Sequence, residues 1–349
     1  MPRYLSGVVS EILAERDGLQ RVQVDGRRAY VLTRLIGTVA VGDEVLLNVT
    51  ATDLALGTGG WDVVHWNLSR RQWEAEGGGH IMKLRYTSLQ SDTGSAEEHG
   101  AESPDGPEPL DAVSLAGFPV LATFLHSQLA PAAVAFSLAS PGHRLGWVMT
   151  DSAALPLVLS DLAADLVDRG LLHTTVSTGQ SFGGRIEAVN MLSGVEAARR
   201  AGCDAVIVGP GPGVVGTASR HGFSGLEVAS VIDLAGGAGA DVIVALRWSD
   251  ADARARHRGI SHHSRTALSL CSRGATIAVA AGYEVNDLPP QHRIELVDSG
   301  DPAGELAAAE LTVTSMGRGV AADPGFFAMA AASGRALGSR AVASGEARS

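Results

Sequence analysis

Cysteine is nearly absent from this chain of 349 residues: Cys203 and Cys271 are the only two. Two thiols exclude a secreted disulfide framework and a four-thiolate zinc site. Lysine occurs once, at Lys83, so the remaining 26 of the 27 basic side chains are arginine. We read that bias as coding rather than function. Basic residues are in deficit against 38 acidic ones, giving a net charge of −11. Such a balance argues against sequence-independent binding to DNA or RNA, whose affinity comes from many Lys and Arg. No apolar run is long and clean enough for a membrane span, since residues 118–139 are interrupted by His126, Gln128 and Pro131. No signal-peptide core follows Met1, so a cytoplasmic protein without a membrane partner is expected. A P-loop of the form G-x-x-x-x-G-K-[ST] is also missing, which argues against ATP hydrolysis of that type. What is plentiful is apolar residues, at 45%, and 43 glycines, enough to exclude global disorder and to build two domains with real cores.

Charge divides the chain. Residues 1–90 balance ten basic against ten acidic side chains, whereas residues 91–111 hold seven acidic ones and no basic one. A Ser/Gly/Pro/Glu stretch of this kind cannot bury apolar surface and reads as a solvated linker. Before it, short runs rich in Val, Leu and aromatics at 4–13, 19–24, 28–33, 44–52 and 61–66 alternate with turn pairs such as Asp17-Gly18 and Asp25-Gly26. Five short strands predict a small β-barrel of the OB or SH3 type, with residues 80–87 as a further strand leading out. Trp61, Trp66 and Trp73 with Arg70 and Arg71 are its candidate nucleic-acid face, and the neutral balance counts against that use.

After the linker the period changes. Apolar strand-like runs recur at 119–125, 145–149, 173–177, 205–208, 242–246, 276–280 and 293–297, with helical stretches at 128–139, 153–169, 194–201, 225–234 and 262–271. Continuous apolar strands alternating with helices predict a doubly wound, mostly parallel α/β domain over 112–334, followed by a flexible tail at 335–349. Ser193 and Ser224, each three residues before a glutamate, read as helix caps. Ser224 is therefore expected to be a cap rather than a nucleophile, despite its Gly-x-Ser-Gly setting.

In open α/β sheets, ligands bind beyond the carboxyl ends of the strands. Those ends carry His126-Ser127, Thr150-Asp151-Ser152, residues 178–185, the Gly-rich run 209–221, Arg247-Trp248-Ser249-Asp250 and residues 282–286. Gly211, Gly213 and Gly216 spell G-x-G-x-x-G, but the next helix signal comes some eight residues too late for a dinucleotide site. Pro210 and Pro212 also remove amides that a phosphate would use. The loop is open to two readings, an anion cradle or a structural tight turn. Residues 247–265 hold five arginines and three histidines, a composition suited to anion recognition and equally to a salt-bridged surface helix. Ser261 is placed to cap the following helix, which puts His262 and His263 in its first turn. As metal ligands, His257, His262 and His263 lack the i, i+4 spacing of H-E-x-x-H, and no metal site is assigned.

Met149 to Pro156, the block from Gly209 to Glu227, and Arg256-His257-Arg258-Gly259-Ile260-Ser261-His262-His263-Ser264 resemble a bacterial family known as domain of unknown function 3866. His80 to Thr87 is similar to that family's segment near the linker. The resemblance covers nearly the whole chain and implies no activity.

The residues themselves lead to one functional expectation. A small anionic, phosphorylated metabolite binds at the carboxyl edge of the α/β sheet, where hydrolysis or group transfer would be the enzymatic class. Gly211, Gly213, Gly216 and Thr217 would cradle the anion, and Arg247, Arg258, His262 and His263 would neutralise it. Asp151 or His126 would act as general acid or base. The alternative is a non-catalytic adaptor or sensor whose barrel contacts protein or nucleic acid. No cofactor is specified, and the Ala-rich helices suit packing within one chain or across a homo-oligomer.

Overall fold

The computed structural model describes residues 1–56, 59–98, 102–103, 106–107 and 114–346. They form two compact units, Met1–Gly94 and Ser95 onward.

In the first unit, β1 (Tyr4–Arg16), β2 (Leu19–Val24), β3 (Arg27–Leu32), β4 (Glu44–Asn48) and β5 (Asp62–Asn67) close a barrel in the order β1-β2-β3-β5-β4. Alternation explains the closure: Val22, Val24, Ala29, Val31, Val45, Leu47 and Val64 point inward and are buried. Single helical turns, α1 (Thr33–Ile36) and α2 (Thr50–Asp53), connect the strands on either side of β4. β3 and β5 pair in parallel, which no hairpin allows; with the strand order this gives the Greek-key arrangement of OB barrels. The expected strand over 80–87 shrinks to β6 (Met82–Lys83), paired with β7 (Ser91–Asp92). Leu84 and Tyr86 have φ of 52° and 62°, left-handed values that end the extended run.

The second unit opens with η-turn Ala96–Glu98 and the short pair β8 (Glu102–Ser103) and β9 (Gly106–Pro107). Glu97 of the acidic stretch is anchored, its carboxylate accepting from the Val189 amide at 2.9 Å. The rest of the linker expected over 91–111, at 99–101, 104–105 and 108–111, lies outside the described residues.

An eight-stranded parallel sheet follows. Its strands are β10 (Pro119–Thr123), β11 (Leu145–Thr150), β12 (Thr174–Thr178), β13 (Ile186–Ala188), β14 (Ala205–Pro210), β15 (Asp241–Ala245), β18 (Thr276–Ala280) and β19 (Arg293–Val297). Between β15 and β18, β16 (Trp248–Ser249) and β17 (Gly259–Ile260) form an antiparallel hairpin that the sequence does not announce. The sheet order is β13-β12-β11-β14-β10-β15-β18-β19. The helices are α3 (Leu129–Ala139), α4 (Asp161–Asp168), α5 (Met191–Arg200), α6 (Glu227–Gly237), α7 (His262–Leu270), α8 (Pro302–Ala308) and α9 (Pro324–Glu346). Helices α5, α6 and α7 neighbour one another, as do α3, α8 and α9, which gives two covering layers. Strands β10, β11, β14 and β18 are buried along their whole length, as a sheet covered on both faces requires. β14 and β15 lie on opposite sides of β10, so the topological switch point is at β14-β10-β15.

Several local expectations are corrected. The tail predicted from Arg335 instead belongs to α9, which runs 23 residues and packs on α3. Its small residues read as tail composition but serve contact: a Cβ on Gly338 would sit 2.9 Å from the Ala139 Cβ and 3.1 Å from the Phe136 carbonyl oxygen. The helix expected from 153 starts at Asp161, because Pro156 bridges Phe182 in extended form and Ser160 then caps α4 through the Ala163 amide at 2.9 Å. Asn190, not Ser193, caps α5, accepting from Leu192 and Ser193 at 2.9 and 3.1 Å. Ser224 is no cap either. Its Oγ accepts from Val215 at 3.1 Å, while Glu227 is drawn to the hydroxyls of Thr150 and Ser152 at 2.8 and 2.6 Å.

Candidate functional site

A cavity of about 150 Å³ lies at the switch point. Phe124 follows β10, Val214 to Thr217 follow β14, and Arg247 follows β15, so three adjacent strands deliver its walls. Arg254, Arg256, His257 and His263 complete its polar lining, and no carboxylate lines it among the described residues.

The local sequence explains how these groups are held. The Arg247 amide donates to Ser264 Oγ at 2.9 Å and its carbonyl accepts from the Ser261 amide at 2.9 Å, which ties the strand end to α7. Ser261 caps α7, its Oγ accepting from the His263 amide at 3.2 Å, so His262 and His263 fall in the first turn as expected. The β16–β17 hairpin is pinned from outside by Asp323, fully buried just before α9. Its carboxylate accepts from Ser249 Oγ at 2.6 Å, the Asp250 amide at 2.7 Å and Arg318 Nε at 2.9 Å. Within the hairpin loop, Asp252 holds Arg254 through two bonds of 3.0 and 2.8 Å. That pairing keeps the Asp252 carboxyl well below the usual range, with the Arg254 hydrogen bond as the largest cause.

The three histidines converge. Ring centroids are 4.8 Å apart for His257–His262, 4.9 Å for His257–His263 and 4.3 Å for His262–His263. Phe223 stacks on His263 at 3.9 Å and 2° between planes, fixing that ring. Burial, reinforced by Arg247, pushes His257 down to about 4 and His263 to about 3; burial also lowers His262. All three rings are therefore neutral near pH 7. Arg247 is 8% exposed, and among the described residues the hydrogen-bond partner of its guanidinium is His263 Nδ1, at 2.7 Å. Burial, with Arg254 nearby, pushes it down to about 10, so it stays charged at neutral pH.

The cavity gathers Gly216, Thr217, Arg247 and His263 from the sequence candidates, and His262 stands against His263 in the cluster. The other candidates lie elsewhere. Gly211 packs on Met149 and the Ala154 carbonyl, and Gly213 turns the loop at φ 85°. The loop then folds back on itself, Thr217 donating to the Gly222 carbonyl at 2.8 Å, rather than opening into a helix. That geometry offers no dinucleotide turn. Arg258 is exposed and reaches the Asp252 carbonyl at 3.2 Å, outside the cavity lining. Asp151 accepts from the Gln180 amide at 3.0 Å and lines a separate cavity of about 270 Å³ with Thr150, Asn190 and Glu227. Burial raises the Glu227 carboxyl there, the Ser152 and Thr150 hydroxyls opposing it. His126 contacts Ser160 Oγ at 2.8 Å and lies 5.3 Å from the Trp147 ring, and it lines neither cavity.

Sequence reasoning missed Arg254 and Arg256 as cavity residues and weighed His257 only as a metal ligand. The hairpin decides which arginines of the 247–265 run face inward, and its two strands are only two residues each, too short to leave a periodicity. On the barrel, Trp61 is stacked on Tyr30 at 4.8 Å with Arg28 4.8 Å from its ring, Trp66 packs against the barrel core, and Arg70 covers Trp73 at 5.4 Å. Among the described residues no helix is long and apolar enough to cross a membrane.

A search of curated proteins finds none similar to this chain. The model of one family matches residues 28–334, spanning most of the barrel and nearly all of the α/β unit. The chain belongs to that family, described as protein of unknown function (DUF3866).

Proposed function

We propose that the switch-point cavity binds a small anion, the phosphoryl group of a phosphorylated metabolite. One observation carries the reading: Arg247 is buried and charged, and no carboxylate is within ion-pair distance of it among the described residues. An unpaired buried charge costs several kcal/mol, roughly, unless a counter-ion arrives. Arg256 on the same wall also lacks an ion-pair partner among the described residues, whereas Arg254 is paired with Asp252. Guanidinium groups suit tetrahedral oxyanions through their planar donor forks. The cavity, about 150 Å³, has room for a phosphoryl group. The remainder of such a metabolite extends outward. Donors arranged this way also favour charge development during hydrolysis or transfer of the group. Asp151 and His126 lie off this cavity, so the binding reading stands without them as acid–base groups.

Calorimetric titration of the full chain with inorganic phosphate tests the proposal. Arg256→Gln should weaken binding roughly ten- to hundred-fold, the equivalent of one charge-assisted hydrogen bond. Arg258→Gln, off the cavity, should leave affinity nearly unchanged. Equal affinities for wild type and Arg256→Gln would refute the site.

A further inference from the structure

We infer that Arg247 dedicates the three-histidine cluster to an oxyanion rather than a metal ion by fixing which nitrogen of His263 carries its proton; this rests on the anion reading above. On composition alone the cluster suits a cation. One ligating atom from each of His257, His262 and His263 lies within 4.8 Å of the others, and three imidazoles are a common zinc set. A metal, however, needs a nitrogen lone pair directed at it.

Hydrogen-bond bookkeeping removes the free lone pairs of two of the three rings, His263 and His257, and one imidazole alone does not make the set. A guanidinium has five N–H donors and no acceptor. With Arg247 Nη1 2.7 Å from His263 Nδ1, the imidazole must accept there, so the proton of the neutral ring sits on Nε2. That Nε2 is buried and has no partner among the described residues. It lies beside Gly216, where a Cβ would come within 3.7 Å of it, on the cavity lining. A buried N–H without an acceptor, in a cavity walled by arginines, calls for an acceptor-bearing ligand. His257 follows the same logic. Ser261 is fully buried, and its Oγ already accepts from the His263 amide. The acceptor in reach of its O–H is His257 Nδ1 at 2.7 Å, which leaves the proton of His257 on Nε2 as well. Phe223, stacked flat on His263, holds the ring plane in which this donor points. Arg247 is thus a positioning residue that sets the tautomer of its neighbour, besides contributing charge.

Long-range ¹⁵N–¹H correlation of the imidazoles reads the tautomer directly in the ligand-free full chain near pH 7.5, with His263→Gln for assignment. The expected pattern for His263 is the neutral Nε2–H form. An Nδ1–H pattern overturns the inference, and it does so without any variant having to fold. Titration with Co²⁺ gives the second arm. Wild type should show no His263-dependent tetrahedral d–d bands, whereas Arg247→Met, which fills similar space without a donor, should gain them and bind inorganic phosphate roughly ten- to hundred-fold more weakly. Wild-type d–d bands lost in His263→Gln would overturn the inference. Failure of phosphate to bind wild type, with the Nε2–H pattern intact and Co²⁺ excluded, would overturn the anion reading while leaving the tautomer assignment supported.

Discussion

Acidifying the protein from pH 7.5 to 4.5 should unfold the α/β unit progressively, and His126 is the residue through which that dependence can be dissected. Its Nε2 lies 2.8 Å from Ser160 Oγ, which itself accepts from the Ala163 amide as the cap of α4. The Ser160 hydroxyl therefore donates to His126, and protonating that nitrogen would leave the hydroxyl without an acceptor. The ring also sits beside Trp147, in surroundings that oppose charge. Burial accordingly pushes His126 down to about 4, with the Pro210 carbonyl opposing the shift. In the unfolded chain the same ring titrates near 6.5. Between those values the unfolded state binds a proton that the folded state refuses, so stability rises with pH and is lost as pH falls below about 6.5. At about 1.4 kcal/mol per pH unit, the gap removes roughly 3 kcal/mol by pH 4. Comparing wild type with His126→Gln isolates this contribution from the other histidines. The variant should be the less stable protein at pH 7.5, through lost packing, and should regain about 2–3 kcal/mol relative to wild type by pH 4.5. Hydrogen exchange of the β10 and β14 amides reports opening of this unit alone. A stability difference that stays constant across the pH range would refute the reasoning.

Two further substitutions test the scaffold. Gly334→Ala should raise intrinsic helix propensity by up to about 1 kcal/mol, yet its Cβ would meet the Ala132 carbonyl at 2.1 Å, so a net loss of roughly 1–3 kcal/mol is expected; a melting temperature at or above wild type would contradict that packing argument. Asp323→Ala removes a fully buried carboxylate and leaves Arg318, Ser249 and the Asp250 amide without their partner, which should cost about 3–5 kcal/mol in denaturant unfolding and weaken phosphate binding through the loosened hairpin. A stable variant with wild-type phosphate affinity would show that the hairpin needs no anchor.

Much of this architecture is legible in the residue order. β18 begins and ends where its apolar run does, because a strand buried on both faces must be apolar throughout. Pro302 starts α8 and Ser261 caps α7 for reasons confined to a few neighbouring residues. The errors fall where a residue's partner is distant in sequence. Gly338 and the small residues from 335 onward looked like a tail because small side chains signal flexibility when alone and close packing when a second helix approaches. Ser224 and Glu227 looked like a reciprocal cap, yet Thr150 and Ser152 offer the glutamate two hydroxyls from a different strand end.

The site divides along the same line. Sequence alone determined that Gly, hydroxyl, Arg and His side chains collect after strand carboxyl ends, and that a capped helix begins at His262, since those facts depend on local order. Tertiary structure decided which of them meet. The β14-β10-β15 switch point brings Gly216 and Thr217 to Arg247, with β10, from far earlier in the chain, inserted between their two strands. A hairpin of two-residue strands pinned by Asp323 turns Arg254 and Arg256 onto the cavity and leaves Arg258 outside it. The charge and proton states of the cluster follow from burial and from a contact between Arg247 and His263, quantities that exist only once the chain has closed around them.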